Sequence, residues 1–139
     1  MSERGDRELI EKAKAMLDMS YAPYSRFHVG AALLAKSGKV YTGCNIENAA
    51  YGPSNCAERT AFFKAVSEGE REFEAIAICG GPEGEMGGYC PPCGVCRQVM
   101  REFCDPETFR IILPAAGEET KVYLLKELLP ESFGPANLK

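Results

Sequence analysis

Apolar residues recur at helical spacing along the first stretch of the chain. Leu9, Ile10, Ala13, Met16 and Leu17 fall on one side, and Glu8, Glu11, Lys12, Lys14 and Asp18 on the other. This pattern predicts an amphipathic helix over Asp6–Met19. Tyr21 to Ser25 reads as a loop, stopped by Pro23. Phe27 to Ala35 is mostly apolar and reads as a buried strand. Lys36 to Lys39 is turn material, and Val40 to Asn45 forms the second strand of a hairpin.

Further on, Ile46 to Asn55 is rich in Asn, Gly and Pro and reads as a loop. Cys56 to Glu68 is helical, with Ala57, Ala61, Phe62, Ala65 and Val66 as its apolar stripe. Glu74 to Gly80 is a third strand, and Gly80 to Gly88 a Gly-rich loop. No Gly-Lys-Ser/Thr ending follows that loop, so it reads as a connection and not as a phosphate cradle. Gly94 to Phe103 is a helix with Val95, Val99, Met100 and Phe103 inward. Phe109 to Leu113 and Lys121 to Leu125 are strands, and a short helix over Lys126 to Leu129 ends at Pro130. Strands alternating with helices imply an α/β fold: a three-layer α/β/α sandwich around a mixed five-stranded sheet, in a single domain over residues 1–139.

The 139 residues, 45% of them hydrophobic, are enough to bury a core without disulfides. Neither a signal peptide nor an apolar run of membrane-spanning length is visible, so the expected location is cytoplasmic. Net charge is −4 with no basic block, which argues against nucleic acid and for a small neutral substrate. In a reducing compartment, seven cysteines read as metal ligands or catalytic groups before disulfides.

Three of those cysteines stand in two short strings, Cys56-Ala57-Glu58-Arg59 and Pro92-Cys93-Gly94-Val95-Cys96-Arg97. Both strings fall at helix starts, where partial positive charge and unpaired N–H groups favour thiolates. Three thiolates can hold Zn²⁺ and leave its fourth position open. Glu58 lies close enough to move protons there. It would otherwise be a first-turn carboxylate complementing the helix dipole. Three thiolates on Zn²⁺ leave a net negative charge, which an arginine donating to a thiolate relieves. Arg59 is the candidate for that role, and Arg97 stands between it and ordinary surface charge. A redox pair at Cys93/Cys96, a closed four-thiolate zinc including Cys90, and an iron–sulfur cluster are the rivals. Pro91-Pro92 stiffens the chain against the second, and Cys104 is too distant for the third. Cys44, Cys79 and Cys104 read as packing residues, and His28 as a satisfied strand residue. Asn45 and Glu47 alternate past a strand end. They suit paired hydroxyls or a polar turn equally well.

The zinc strings match the signature of zinc deaminases. With Tyr21-Ala22-Pro23-Tyr24-Ser25, Phe27-His28-Val29-Gly30-Ala31-Ala32, Gly43 to Tyr51, Asn55 to Ala61 and Pro92 to Gln98, the chain resembles the cytidine deaminase family over nearly its full length. The short, homotetrameric type is the closest in pattern. The resemblance implies zinc on Cys56, Cys93 and Cys96, and Glu58 as proton shuttle. It also implies ribose recognition by Asn45 and Glu47, Phe27 against the nucleoside, and base recognition by Ala57 and Glu58. Phe133 resembles an aromatic lent to a neighbouring subunit's pocket. The chain departs from the family's pattern at Gly52-Pro53-Ser54 and from Gly84 to Cys90, so the resemblance leaves loop length and pocket rim open while it covers the chemistry. The activity implied is hydrolytic deamination of cytidine and deoxycytidine, as in pyrimidine salvage. Blasticidin S deamination and a binding module with structural zinc are the alternatives.

Overall fold

The computed structural model describes residues 3–139. Helix α1 (Glu3–Ala15) tightens into a 3₁₀ turn over Met16–Met19. Strand β1 (Phe27–Ala35) turns into β2 (Val40–Cys44), followed by α2 (Ala57–Ser67), β3 (Phe73–Pro82) and α3 (Gly94–Phe103). Strands β4 (Arg110–Ala115) and β5 (Glu118–Leu124), α4 (Leu125–Leu128) and a 3₁₀ turn at Pro135–Leu138 complete the chain. The sheet order is β2-β1-β3-β4-β5, with β3 and β4 parallel and the other neighbours antiparallel. The expected mixed five-stranded α/β architecture is therefore observed.

The central strands read as apolar runs because both of their faces are buried. On one face Ala31, Leu33, Ile76, Ile78, Ile111 and Leu113 pack with Ala61 and Phe62 of α2 and Met100 of α3. On the other, Ala32, Ala75, Ala77, Cys79 and Ile112 pack against Leu9 and Ala13 of α1, and Leu17. The same split makes three layers. Asp6 ties α1 to β4 through both carboxylate oxygens on Arg110, at 2.9 and 3.0 Å.

Topology decides where the site forms. β1 runs antiparallel to both β2 and β3, so those two strands point the same way. Helices α2 and α3 follow them and lie on one face, so both helix starts arrive at the same end of the sheet. Gly43 lets α2 come close: a Cβ there would sit 2.6 Å from the Ala61 backbone nitrogen. Any side chain at this position would push away the helix that carries Glu58.

Several boundaries differ from expectation. α1 starts at Glu3, not Asp6, because its first turn is polar and shows no apolar stripe. β5 starts at Glu118, not Lys121, because it is an edge strand whose outer residues are charged and exposed. The 3₁₀ turn at Pro135–Leu138 has no apolar period to mark it. Val95 was expected inward but is 57% exposed. It occupies the first turn of α3 and borders the cleft described below, and Cys96 takes the inward position instead. Cys44, Cys79 and Cys104 are buried as packing residues. His28 is satisfied through Nδ1, 3.2 Å from the Leu17 carbonyl oxygen.

Candidate metal and catalytic site

Cys56 is the N-cap of α2 and Cys93 the N-cap of α3, both in extended backbone conformation. The Cys93 thiol accepts from the Cys96 backbone N–H at 3.5 Å, taking up an otherwise unpaired helix donor. The three sulfurs converge. Cys56 Sγ lies 3.8 Å from Cys93 Sγ, which lies 3.5 Å from Cys96 Sγ. All three lie within 4.8 Å of one another. Tetrahedral zinc with bonds of about 2.3 Å places thiolate sulfurs about 3.8 Å apart. The donor set and its spacing therefore fit zinc, with one coordination position left over. All seven cysteines are free thiols, which removes the disulfide reading.

Cys90 does not join this group. Its sulfur instead sits 3.0 Å from where a Cβ on Gly80 would be, near the Phe27 ring. Burial pushes its thiol up to about 12, and its sulfur faces Gly80 and Phe27 instead of the other three thiols. Cys90→Ser is expected to keep one zinc per chain and nearly full activity, by metal analysis and assay. Loss of zinc would instead establish a closed four-thiolate site.

The ionisation pattern follows from crowding. The Cys96 thiol donates to Cys56, and Arg59 adds a second donor, so Cys56 falls to about 5 against the opposing cost of burial. Cys96 moves the other way, because the Cys56 thiolate holds its proton and burial disfavours a second charge. Arg59 Nη2 donates to Cys56 Sγ at 3.2 Å, the contact expected of it. Its Nε is buried with no partner. Arg97 faces elsewhere: Nε donates to the Pro92 carbonyl at 2.7 Å and Nη1 to the Leu128 carbonyl at 2.6 Å.

Glu58 is the second residue of α2 and is only 4% exposed. Burial raises its carboxyl to about 7, partly opposed by a hydrogen bond from its own backbone N–H. The Cys56 thiolate pushes in the same upward direction as burial. A carboxyl poised near neutrality takes and returns protons with equal ease at physiological pH.

Glu58 and Cys56 open into a cleft of about 560 Å³, shared with Asn45, Glu47, Ala57, Cys90, Cys93 and Val95 among others. That volume suits a nucleoside-sized ligand. A groove along α1, bordered by Arg7, Glu8, Glu11 and Lys12, is about 630 Å³. It is a shallow helix surface without buried ionisable groups, whereas the cleft is lined by the buried Glu58.

Both polar residues at the cleft mouth are held in place. Asn45 Oδ1 accepts from the Val29 backbone N–H at 2.9 Å and from the Ser20 hydroxyl, while Nδ2 donates to the Phe27 carbonyl at 2.8 Å. Glu47 Oε1 accepts from the Tyr24 and Ser25 backbone N–H groups at 3.0 and 3.1 Å, and Oε2 from the Ser25 hydroxyl. The Ser25 hydroxyl is the main reason that the Glu47 carboxyl sits below its usual range. Phe27 stands beside the cleft, its ring over Gly80. Phe133 lies outside the cleft and is 58% exposed.

Sequence reasoning missed Ser20 and Ser25 as the groups that orient Asn45 and Glu47. It also missed Tyr51 and Val95 at the rim. Ser25 stands in the loop string quoted above, and that position was its one available signal. Ser20 and Asn45 are 25 residues apart with nothing local to link them.

A family profile, the cytidine and deoxycytidylate deaminase zinc-binding region, matches residues 3–111. A cytidine deaminase of Sporosarcina psychrophila is 49% identical over 133 residues, 94% of this chain and 93% of that protein. Another, from Halalkalibacterium halodurans, is 49% identical over 129 residues, 92% of this chain and 94% of its own. The crystal structure of a cytidine deaminase from Burkholderia pseudomallei superposes with a TM-score of 0.83 at 48% identity. That match covers 96% of this chain and 100% of the other.

Proposed function

This chain belongs to the cytidine and deoxycytidylate deaminase family, and on that premise we propose that it deaminates cytidine and deoxycytidine hydrolytically, releasing ammonia. The observation that carries the reading is a buried carboxyl poised at about 7, beside three converging thiols, on the floor of a nucleoside-sized cleft. Zinc, the metal of this family's region, acts as a Lewis acid that makes water nucleophilic at neutral pH.

The chain's own residues supply the proton transfers. Glu58 takes a proton from the water that adds to C4 of the cytosine ring and delivers it to N3. It then takes the second water proton and delivers it to the C4 amino group. The C–N bond breaks and ammonia leaves. One water and one cytidine thus become one uridine and one ammonia. Cys56, Cys93 and Cys96 hold the metal, and Arg59 offsets the excess thiolate charge. Asn45 and Glu47, pre-oriented by Ser20 and Ser25, receive the ribose hydroxyls, and Ala57 lies against the base. The cleft excludes bulk water, so these charges interact strongly.

The cleft also favours a nucleoside over its 5′-phosphate. Among its described lining residues Arg59 is the sole cation, and that side chain is directed at Cys56. Glu47 adds an anionic carboxylate to the same cleft. A panel of cytidine, deoxycytidine, deoxycytidine monophosphate, blasticidin S and adenosine tests the reading by ammonia release. Turnover confined to the first two supports it, and preferential use of any other contradicts it.

No described helix is long and apolar enough to cross a membrane. We place the enzyme in the cytoplasm, in pyrimidine salvage, where seven free thiols suit a reducing medium. Tyr51, Val95 and Phe133 are exposed at 73%, 57% and 58%. These exposed side chains, together with the resemblance of Phe133 to an aromatic lent to a neighbouring subunit, support a homotetramer of dihedral symmetry in which Phe133 closes a neighbour's cleft. Sedimentation is expected to give a tetramer. Aromatic contacts contribute about 0.5–1.5 kcal/mol beyond area burial, so Phe133→Ala is expected to raise KM by about threefold or more with zinc retained. A fully active monomer, or unchanged KM and turnover in Phe133→Ala, refutes the shared site.

A further inference from the structure

Arg97 takes no part in the proton chemistry, yet its guanidinium bridges two distant pieces of chain. One is Pro92, which immediately precedes the metal ligand Cys93 and is itself fully buried. The other is Leu128, the last residue of α4, whose carbonyl has no partner within that helix. Neighbouring residues of α3 continue the seam. Gln98 Nε2 donates to the Phe133 carbonyl at 2.8 Å, and Arg101 Nε to the Ser132 hydroxyl at 2.9 Å. Gly134 lies against the Arg101 guanidinium so closely that a Cβ there would sit 2.9 Å from Nε. The helix that opens with two zinc ligands therefore also carries the C-terminal segment.

We propose that Arg97 is a positioning residue that locks the Cys93 loop to the 128–133 segment, so that zinc occupancy sets the placement of Phe133. The proposal rests on the zinc site of the reading above. The physical basis is the rigidity of the connector. A guanidinium presents its donors in a fixed planar fork, so displacing one bonded carbonyl drags the other. Pro91-Pro92 passes that displacement on to Cys93 with little slack. Cys93 is the exposed member of the three thiols, with the least packing of its own. Zinc on its sulfur then stiffens Pro92, Arg97 and Leu128 as one body.

Hydrogen exchange of residues 126–134, with and without zinc, tests the link in the unaltered chain. Stripping zinc with a chelator should raise exchange there severalfold. In Arg97→Ala that segment should exchange quickly in both states. Zinc affinity should also fall by about 10–100-fold, the range typical when a group supporting a ligand is removed, and zinc should leave the three thiols correspondingly faster. Arg97→Lys reaches one carbonyl but not both, so it should be intermediate, and it serves if the alanine variant does not fold. Arg101→Ala should loosen the segment while zinc release stays at the parent rate. Cobalt in place of zinc adds a spectroscopic readout: its thiolate charge-transfer bands should shift in Arg97→Ala and not in Arg101→Ala. A segment indifferent to zinc, or Arg97→Ala releasing zinc at the parent rate, overturns the proposal alone. A chain that shows the link but does not deaminate cytidine overturns the functional reading and leaves this one standing. A chain that binds no zinc overturns both.

Discussion

Glu58→Gln is expected to keep its zinc and to lose at least about 10²–10⁴-fold in turnover, the range of a single general acid–base group. The loss should reach that range or exceed it because one carboxyl serves the water, N3 and the departing amine in turn. Gln preserves shape and one hydrogen-bonding oxygen, and it cannot carry a proton. Thermal stability should not fall. Burial raises the Glu58 carboxyl from 4.5 to about 7, so above pH 7 the folded state holds a buried charge that the unfolded chain solvates freely. The penalty is present above the folded pKa and disappears below the unfolded one. The amide avoids it, so at pH 8 the variant should melt at or above the parent temperature. Retention of a tenth of normal turnover contradicts the role given to Glu58.

Cys93→Ser is expected to abolish both zinc retention and turnover while the chain stays folded. The hydroxyl can still cap α3, where the thiol now accepts from the Cys96 N–H. It is far too weak an acid to replace a thiolate ligand at neutral pH. The fold survives because neither packed face of the sheet depends on Cys93, which is exposed. What disappears is the stabilisation by bound metal, about 4 kcal/mol when free zinc exceeds Kd a thousandfold. Metal analysis after dialysis and a thermal melt with added zinc measure both effects. A variant with one zinc per chain and parental turnover would remove Cys93 from the site.

Much of this architecture was legible because the signals are local. β1 runs over Phe27–Ala35 and α3 over Gly94–Phe103, as the apolar run and the helical period indicate. The zinc residues lie in two short strings at helix starts, so residue type and position spoke together. Edge strand β5 was less legible, since exposure removes the apolar pattern that marks a strand. Val95 was misplaced because an apolar period does not decide which of two adjacent apolar residues, Val95 or Cys96, faces the core. Arg59 and Arg97 are alike in sequence, each one to three residues after a ligand. The sequence favours Arg59 for the thiolate and leaves Arg97 open, and the fold decides the second: one guanidinium meets Cys56 and the other meets two carbonyls. The serines that orient Asn45 and Glu47 were equally hidden, because contacts across more than 20 residues leave no periodic trace.

The most direct test is a zinc titration of metal-stripped protein, with ammonia release from cytidine followed at each step. The account predicts activity that rises in proportion to bound zinc and saturates at one zinc per chain, with one ammonia formed for each uridine. A chain that fills with zinc at Cys56, Cys93 and Cys96 and releases no ammonia from cytidine would make the metal structural and contradict the account.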